Sequence, residues 1–124
     1  MKTIVCIEDD ADTLELVELV LREPSVKTYA ALGAREGLQY LQTTNPDLVV
    51  LDLYMPGISG WEVYRHIRTD ERLRNTPVIA LTACPEEIST ALGHDPSGFA
   101  DYICKPFSLA QLRASVDRAL GLVQ

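Results

Sequence analysis

The sequence lacks several features that would place it in common classes of protein. No apolar run approaches the roughly 20 residues that a membrane-spanning helix needs. Basic residues are outnumbered, with 11 Lys and Arg against 18 Asp and Glu, and the formal charge of −7 argues against nucleic-acid binding. The two histidines, His66 and His94, have no metal-partner spacing. A basic binding face and a histidine metal site are therefore not expected.

Cysteines are also few, and their spacing is uninformative for metal binding. Cys6, Cys84 and Cys104 are odd in number and form no CxxC pair. Cys6 and Cys104 fall inside strand patterns, so we expect them to be buried, reduced thiols. Cys84 has no nearby resolving partner for a redox role.

What the chain does contain is typical of a single globular domain. It has 124 residues, of which 47% are hydrophobic and 23% charged, and no repeat or linker. We expect one domain over residues 1–124, with no output domain. Met1, Lys2 and Thr3 lead directly into a strand pattern, so we also expect no signal peptide and a cytoplasmic location.

Short apolar runs alternate with amphipathic segments five times. Strands are predicted at about 3–7, 26–31, 48–52, 78–82 and 101–104, and helices at about 11–22, 34–43, 60–70, 85–92 and after Ser108. Such runs are typical of parallel strands buried on both faces. Right-handed crossovers with one reversal of winding predict a flavodoxin-like doubly wound α/β sheet of strand order 2-1-3-4-5.

Helical spacing also predicts which side chains face the core. The first helix should bury Leu14, Val17 and Leu21, with Leu16 and Val20 widening the stripe. The last helix should turn inward the four residues Leu109, Leu112, Val116 and Leu120. Gly93, Pro96 and Gly98 predict an irregular loop after the fourth helix. A solvated face is predicted for the arginines at positions 65, 68, 72 and 74.

Reactive side chains follow four of the predicted strands. Glu8 and Asp9 follow the first strand, Asp52 ends the third, Thr82 ends the fourth, and Lys105 follows the fifth. Parallel strands release their C-terminal ends at one edge of a sheet, where ligands bind. We therefore expect three acids, one hydroxyl and one ammonium group to converge there.

This set of side chains suits phosphoryl chemistry. Crowded carboxylates repel one another, and Mg²⁺ relieves the conflict because it prefers oxygen ligands. A carboxylate can attack phosphorus and form an acyl phosphate. Asp52 is the best candidate nucleophile because it stands alone at its strand end, leaving Glu8 and Asp9 to hold a metal. Lys105 and Thr82 could then contact the phosphoryl oxygens.

Four motifs carry a resemblance to a known family. They are the stretches at 7–10 (IEDD), 47–57 (DLVVLDLYMPG), 81–83 (LTA) and 101–107 (DYICKPF). Together they resemble the response-regulator receiver domain of two-component signalling, over essentially the whole chain. The resemblance implies that Asp52 accepts a phosphoryl group from a histidine kinase or phosphotransfer protein. It also implies a domain that catalyses only its own phosphorylation and dephosphorylation and is not otherwise an enzyme.

The resemblance assigns further roles by position. Asp52 and Asp9 would bind Mg²⁺, or Mn²⁺, directly, Glu8 would bind it through water, and the backbone carbonyl of Tyr54 would be another ligand. Thr82 and Lys105 would contact the phosphoryl group. A cis peptide bond is implied between Lys105 and Pro106.

The resemblance also implies a conformational switch. Thr82 would move toward the phosphoryl group, and Tyr102 would turn inward to fill the space. These shifts would alter the surface of the fourth helix, fifth strand and fifth helix, which a downstream protein would read. Phosphorylation-dependent homodimerisation is a further possibility, and no membrane or nucleic-acid partner is expected.

Three alternatives remain open at the level of sequence. Haloacid-dehalogenase-like phosphatases also use a strand-end Asp with Mg²⁺, but they carry a second acid where this chain has Tyr54. A flavodoxin-like binding module would need a phosphate-cradling loop after the first strand, where Glu8 and Asp9 would repel a phosphate. The third alternative is a pseudo-receiver that signals without phosphorylation, against which the complete residue set argues.

Overall fold

The chain folds as five parallel strands with helices on both faces of the sheet. The computed structural model describes residues 1–82 and 98–121. Its strands are β1 (Lys2–Glu8), β2 (Val26–Leu32), β3 (Leu48–Asp52), β4 (Val78–Thr82) and β5 (Asp101–Cys104). In the same residues the helices are α1 (Ala11–Leu21), α2 (Ala34–Thr43), α3 (Gly60–Thr69) and the C-terminal helix α4 (Leu109–Leu120). The helix predicted at 85–92, the loop predicted to follow it, Cys84 and His94 lie outside the described residues.

The sheet has the predicted strand order. Its strands lie in the order β2-β1-β3-β4-β5, and each neighbouring pair is parallel. Because β1 and β3 are adjacent while their crossovers run in opposite directions, the edge beyond their C-terminal ends is the switch point where such sheets bind ligands.

Alternate residues of the central strands point to opposite faces and form two cores. One core contains Val5, Ile7, Val49 and Leu51 and includes residues of α2 and α3. The other contains Ile4, Cys6, Leu48 and Val50 and includes residues of α1 and α4. Every residue of β3 and β4 is buried. Because side chains on both faces are packed, these strands cannot shift along their axes. The last residue of each strand, and its side chain, is therefore held in a fixed position.

Two predicted core leucines are exposed instead. Leu14, Val17 and Leu21 of α1 are buried, but Leu16 is 48% exposed. Leu16 lies two residues after Leu14, which places it on the opposite side of the helix. Leu109 is also 48% exposed, because it is the first residue of α4.

The predicted buried inner face of α4 therefore starts one turn later than expected. Leu112, Val116 and Leu120 are all buried. They belong to the core that also receives α1.

The two described cysteines differ in their surroundings. Cys6 is fully buried in the centre of the sheet, as predicted, and burial raises the pKa of its thiol far above the ordinary range. The prediction of a buried Cys104 is wrong, since this residue is exposed. Cys104 is the last residue of β5, and β5 is an edge strand with a neighbour on one side only.

The predicted solvated arginine face is confirmed for Arg65, Arg72 and Arg74, which are exposed, and is wrong for Arg68. The guanidinium of Arg68 is half-buried and donates hydrogen bonds to the carbonyl oxygens of Thr76 (2.8 Å) and Gly98 (3.0 Å). Arg72 donates to the carbonyl oxygen of Leu41 at the end of α2. Carbonyl groups at helix ends and in turns lack backbone partners, and these side chains supply them.

Candidate functional site

The reactive side chains predicted from the sequence meet at the C-terminal edge of the sheet. Glu8 and Asp52 are the last residues of the adjacent strands β1 and β3, and Thr82 is the last residue of β4. Asp9 follows β1 directly, and Lys105 follows β5. The parallel register therefore brings together all five side chains that the sequence singled out.

Glu8 is the most buried acid of the site. Its side chain is fully buried, and Oε1 accepts hydrogen bonds from the backbone N–H groups of Asp9 and Asp10, both at 3.2 Å. Oε2 lies 2.8 Å from Nζ of Lys105 in an ion pair. Burial and the neighbouring Asp52 carboxylate raise the pKa of Glu8 to about 7, although Lys105 acts in the opposite direction.

Asp52 is held in place from two sides. Its side chain is only 4% exposed, Oδ1 accepts a hydrogen bond from the backbone N–H of Tyr54 at 3.0 Å, and Oδ2 lies 3.3 Å from Nζ of Lys105. Burial raises the pKa of Asp52, while the hydrogen bonds and the lysine charge favour the ionised form. The carboxylate is thus fixed in direction and partly deprived of water.

Lys105 connects the acids. Its ammonium group contacts both Glu8 and Asp52, and its backbone N–H donates to the carbonyl oxygen of Thr82 at 2.8 Å. Burial alone would lower the pKa of Lys105, but the two carboxylates outweigh it and raise that pKa. The peptide bond to Pro106 is cis, as the family resemblance implies.

Thr82 completes the inner wall of the site. It is 1% exposed, and among the described residues its Oγ1 atom has no hydrogen-bond partner. A buried hydroxyl without a partner is costly, and such groups are usually satisfied by a ligand or water. Tyr102 lies farther back on β5, half-buried, with its ring 5.1 Å from that of Phe99.

The acidic residues fit a divalent cation. Glu8, Asp9 and Asp52 each offer a carboxylate oxygen, and these oxygens lie within 4.8 Å of one another. Opposite ligands of an octahedral Mg²⁺ are ~4.2 Å apart, so the set fits most easily if one acid, such as Glu8, acts through water. When all three carboxylates are ionised, the one ammonium group leaves two negative charges uncompensated, which a divalent ion would balance.

One close approach at the site was not predicted. Gly60, at the start of the helix predicted at about 60–70, lies against the backbone of Asp52. The signal available in the sequence was a glycine in the first position of a helix, directly after the capping Ser59. That position demands no special backbone conformation, so close packing is the reason left to consider.

The chain matches known proteins over almost its full length. Residues 4–117 match the family model of the response regulator receiver domain. The transcriptional regulatory protein AfsQ1 of Streptomyces coelicolor is 37% identical over 120 residues, which cover 97% of this chain and 52% of that protein. The DNA-binding response regulator MtrA of Mycobacterium tuberculosis is 36% identical over 91% of this chain and 48% of its own length. The chain spans about half the length of these curated relatives.

Solved structures agree with the sheet order. A putative response regulator from Chloroflexus aurantiacus superposes with a TM-score of 0.83 at 30% identity, covering 97% of this chain and 98% of that one. The receiver domain of a sensor histidine kinase from Pseudomonas aeruginosa superposes with a TM-score of 0.83 at 26% identity and the same coverage. That structure has a magnesium ion coordinated in its active site cleft.

No helix among residues 1–82 and 98–121 has the length and hydrophobicity to span a bilayer. The fold, the acidic edge of the sheet and the match over residues 4–117 lead to one conclusion. This chain belongs to the family of response regulator receiver domains, which act in two-component signal transduction.

Proposed function

We propose that Asp52 is the phosphoacceptor of this receiver domain. The observation that supports this assignment best is the setting of its carboxylate, which is nearly buried between the Tyr54 N–H and the Lys105 ammonium group. The donor would be a phosphohistidine of a histidine kinase or of a phosphotransfer protein. The domain is not an enzyme of the ordinary kind, and its catalysis would be confined to its own phosphorylation and dephosphorylation.

The transfer is a substitution at phosphorus. An oxygen of the Asp52 carboxylate forms a bond to phosphorus while the bond from phosphorus to the donor nitrogen breaks, and the released imidazole takes a proton from solvent. Lys105 neutralises charge on the phosphoryl oxygens, and the Thr82 hydroxyl donates a hydrogen bond to one of them. Glu8, Asp9, Asp52 and the backbone carbonyl of Tyr54 would hold Mg²⁺ or Mn²⁺, which when bound neutralises further phosphoryl charge.

The same proposal includes the switch. Movement of Thr82 toward the phosphoryl group would open space next to it on β4, and Tyr102 on the adjacent strand β5 would turn inward to fill that space. The altered surface, formed by the fourth predicted helix, β5 and the C-terminal helix, would then bind a downstream protein or a second copy of the chain. The names of the curated relatives indicate DNA binding by those proteins. If this chain is part of a longer regulator, DNA binding would belong to another part of it. The cytoplasmic location stays a prediction.

The test is direct phosphorylation with a small donor. Purified protein incubated with acetyl phosphate and Mg²⁺ should gain the mass of one phosphoryl group, and Asp52→Asn should gain none. Lys105→Met should be phosphorylated about a hundredfold more slowly. A wild-type chain that stays unmodified would contradict the proposal and favour the pseudo-receiver. Repeated release of phosphate from many phosphoesters would favour the phosphatase.

A further inference from the structure

The first residue of α3 lies against the segment that carries the proposed phosphoacceptor. Gly60 is buried, and its N–H donates a hydrogen bond to the carbonyl oxygen of Leu53 at 3.0 Å. The geometry points to Gly60 as a positioning residue for the site. Because it has no side chain, α3 can begin in contact with the backbone of Asp52 and Leu53 and hold the Asp52 carboxylate in place. This inference rests on the proposed function of Asp52.

The approach is too close for any side chain. A Cβ atom at position 60 would lie 2.1 Å from the carbonyl oxygen of Asp52 and 2.5 Å from Cα of Leu53. Carbon atoms in contact are normally ~3.5–4.0 Å apart, so a methyl group would drive the two segments about 1 Å apart. The atoms it meets are backbone atoms, which cannot rotate away as a side chain can.

Space alone explains the glycine. The described glycines with a left-handed φ are Gly33, Gly57 and Gly121, and Gly60 is not among them. Alanine at position 60 would therefore meet no conformational strain. In an open helix the same change would favour helix formation, because glycine is the more flexible residue in the unfolded chain. A slower phosphorylation of the Gly60→Ala variant would thus come from the contact with Asp52 and Leu53.

A displacement at this contact would reach the carboxylate. β3 is a central strand, buried along its whole length and paired on both sides, so it cannot recede as a unit. The contact falls at the end of this strand, on Asp52 and Leu53, so a displacement would be taken up there and in the following turn, where the Tyr54 N–H holds Oδ1 of Asp52 at 3.0 Å. A shift of this turn would rotate the carboxylate away from Lys105, and a misplacement of ~1 Å can slow a reaction about a hundredfold.

The test compares Gly60→Ala with a variant that weakens the same helix elsewhere. Ile67→Ala removes a fully buried side chain from α3, seven residues further along and away from the site. Each variant is treated with acetyl phosphate and saturating Mg²⁺ at a temperature where circular dichroism shows it folded. The rate constant for phosphorylation is followed by intact mass. We expect Gly60→Ala to be slower by about 10- to 100-fold, and Ile67→Ala to stay within about twofold of wild type.

The outcomes separate the two levels of the proposal. Failure of the wild type to be phosphorylated would overturn the function proposed for Asp52. A normal wild type with Gly60→Ala at the same rate, or with both variants equally slowed, would overturn the positioning role alone. If Gly60→Ala does not fold, Ser59→Ala decides, because it removes the cap that Ser59 Oγ provides to the N–H of Glu62. Loosening the start of α3 should slow phosphorylation about threefold, and an unchanged rate would count against the inference.

Discussion

Two carboxylates and one ammonium group share a small, nearly dry space at the tips of β1, β3 and β5. Glu8 is fully buried and Asp52 almost so, and Lys105 contacts both. Such an arrangement is costly even with the ammonium group present, because each buried charge loses its hydration. At the scale of single residues, this burial lowers stability, and the proposed binding of a divalent ion and a phosphoryl group would offset the cost.

Removing the Lys105 ammonium group should lower the stability of the protein. Lys105→Met leaves Glu8 and Asp52 buried without a cation, so we expect the free energy of unfolding to fall by about 2 kcal/mol at pH 7 in EDTA. Urea denaturation measures the change. The control is Lys2→Met, which removes an exposed lysine at the start of β1 and should have little effect. Equal stabilities for both variants would show that the ion pairs contribute nothing.

The pKa of Glu8 predicts how stability depends on pH. Since that pKa is raised from 4.5 to about 7, the folded state binds more protons than the unfolded state between these values. The free energy of unfolding of the metal-free protein should therefore decrease as pH rises from about 5 to 7 in EDTA. Denaturation curves across this range test the sign. Glu8→Gln should flatten the dependence, and a wild type that becomes more stable toward pH 7 would contradict it.

At the scale of elements, α3 runs from the C-terminal ends of the strands to their N-terminal ends and contacts the chain at both. Its first residue, Gly60, lies against Asp52, while Arg68 near its end donates to carbonyl oxygens of the loops that precede β4 and β5. Between them, Val63 and Ile67 are buried in the core. The helix therefore keeps the loops at one edge in a fixed relation to the site at the other.

The hydrogen bonds of Arg68 should be difficult to replace. Arg68→Lys retains the charge but cannot reach Arg74, Thr76 and Gly98 at once, so we expect a loss of about 1–3 kcal/mol. Arg65→Lys, an exposed change on the same helix, is the matched control and should alter stability by less than about 0.5 kcal/mol. Urea denaturation decides, and equal effects would mean that these contacts do not hold the loops.

The same elements show what a sequence can and cannot predict. Strand ends at Asp52 and Thr82 were predictable, because buried apolar runs stop where polar residues begin. The exposure of Leu16 follows from helical spacing, but that of Cys104 was not predictable, since it depends on β5 lying at the edge of the sheet. The contacts of Arg68 and Gly60 depend on how the loops around the sheet fold back on α3, which periodicity within a helix or strand does not describe.

At the scale of the whole molecule, the metal site should dominate the response to solution conditions. With Mg²⁺ at a hundred times its Kd, the free energy of unfolding should rise by about 2.7 kcal/mol, because the ion binds only the folded chain. A thermal melt across a Mg²⁺ titration measures this rise. Asp9→Asn removes an exposed, proposed ligand and should leave the metal-free protein unchanged while abolishing most of the gain. An undiminished gain in that variant would exclude Asp9 as a ligand.

The contacts of Arg68 and Arg72 lie at the N-terminal edge of the sheet, opposite the acids. The two ends of the sheet therefore differ in role. Arginine hydrogen bonds join loops at the N-terminal ends of the strands, and the proposed reactive residues lie at the C-terminal ends. Substitutions at the C-terminal ends of the strands would therefore alter the proposed chemistry while leaving the arginine contacts at the other end of the sheet unchanged.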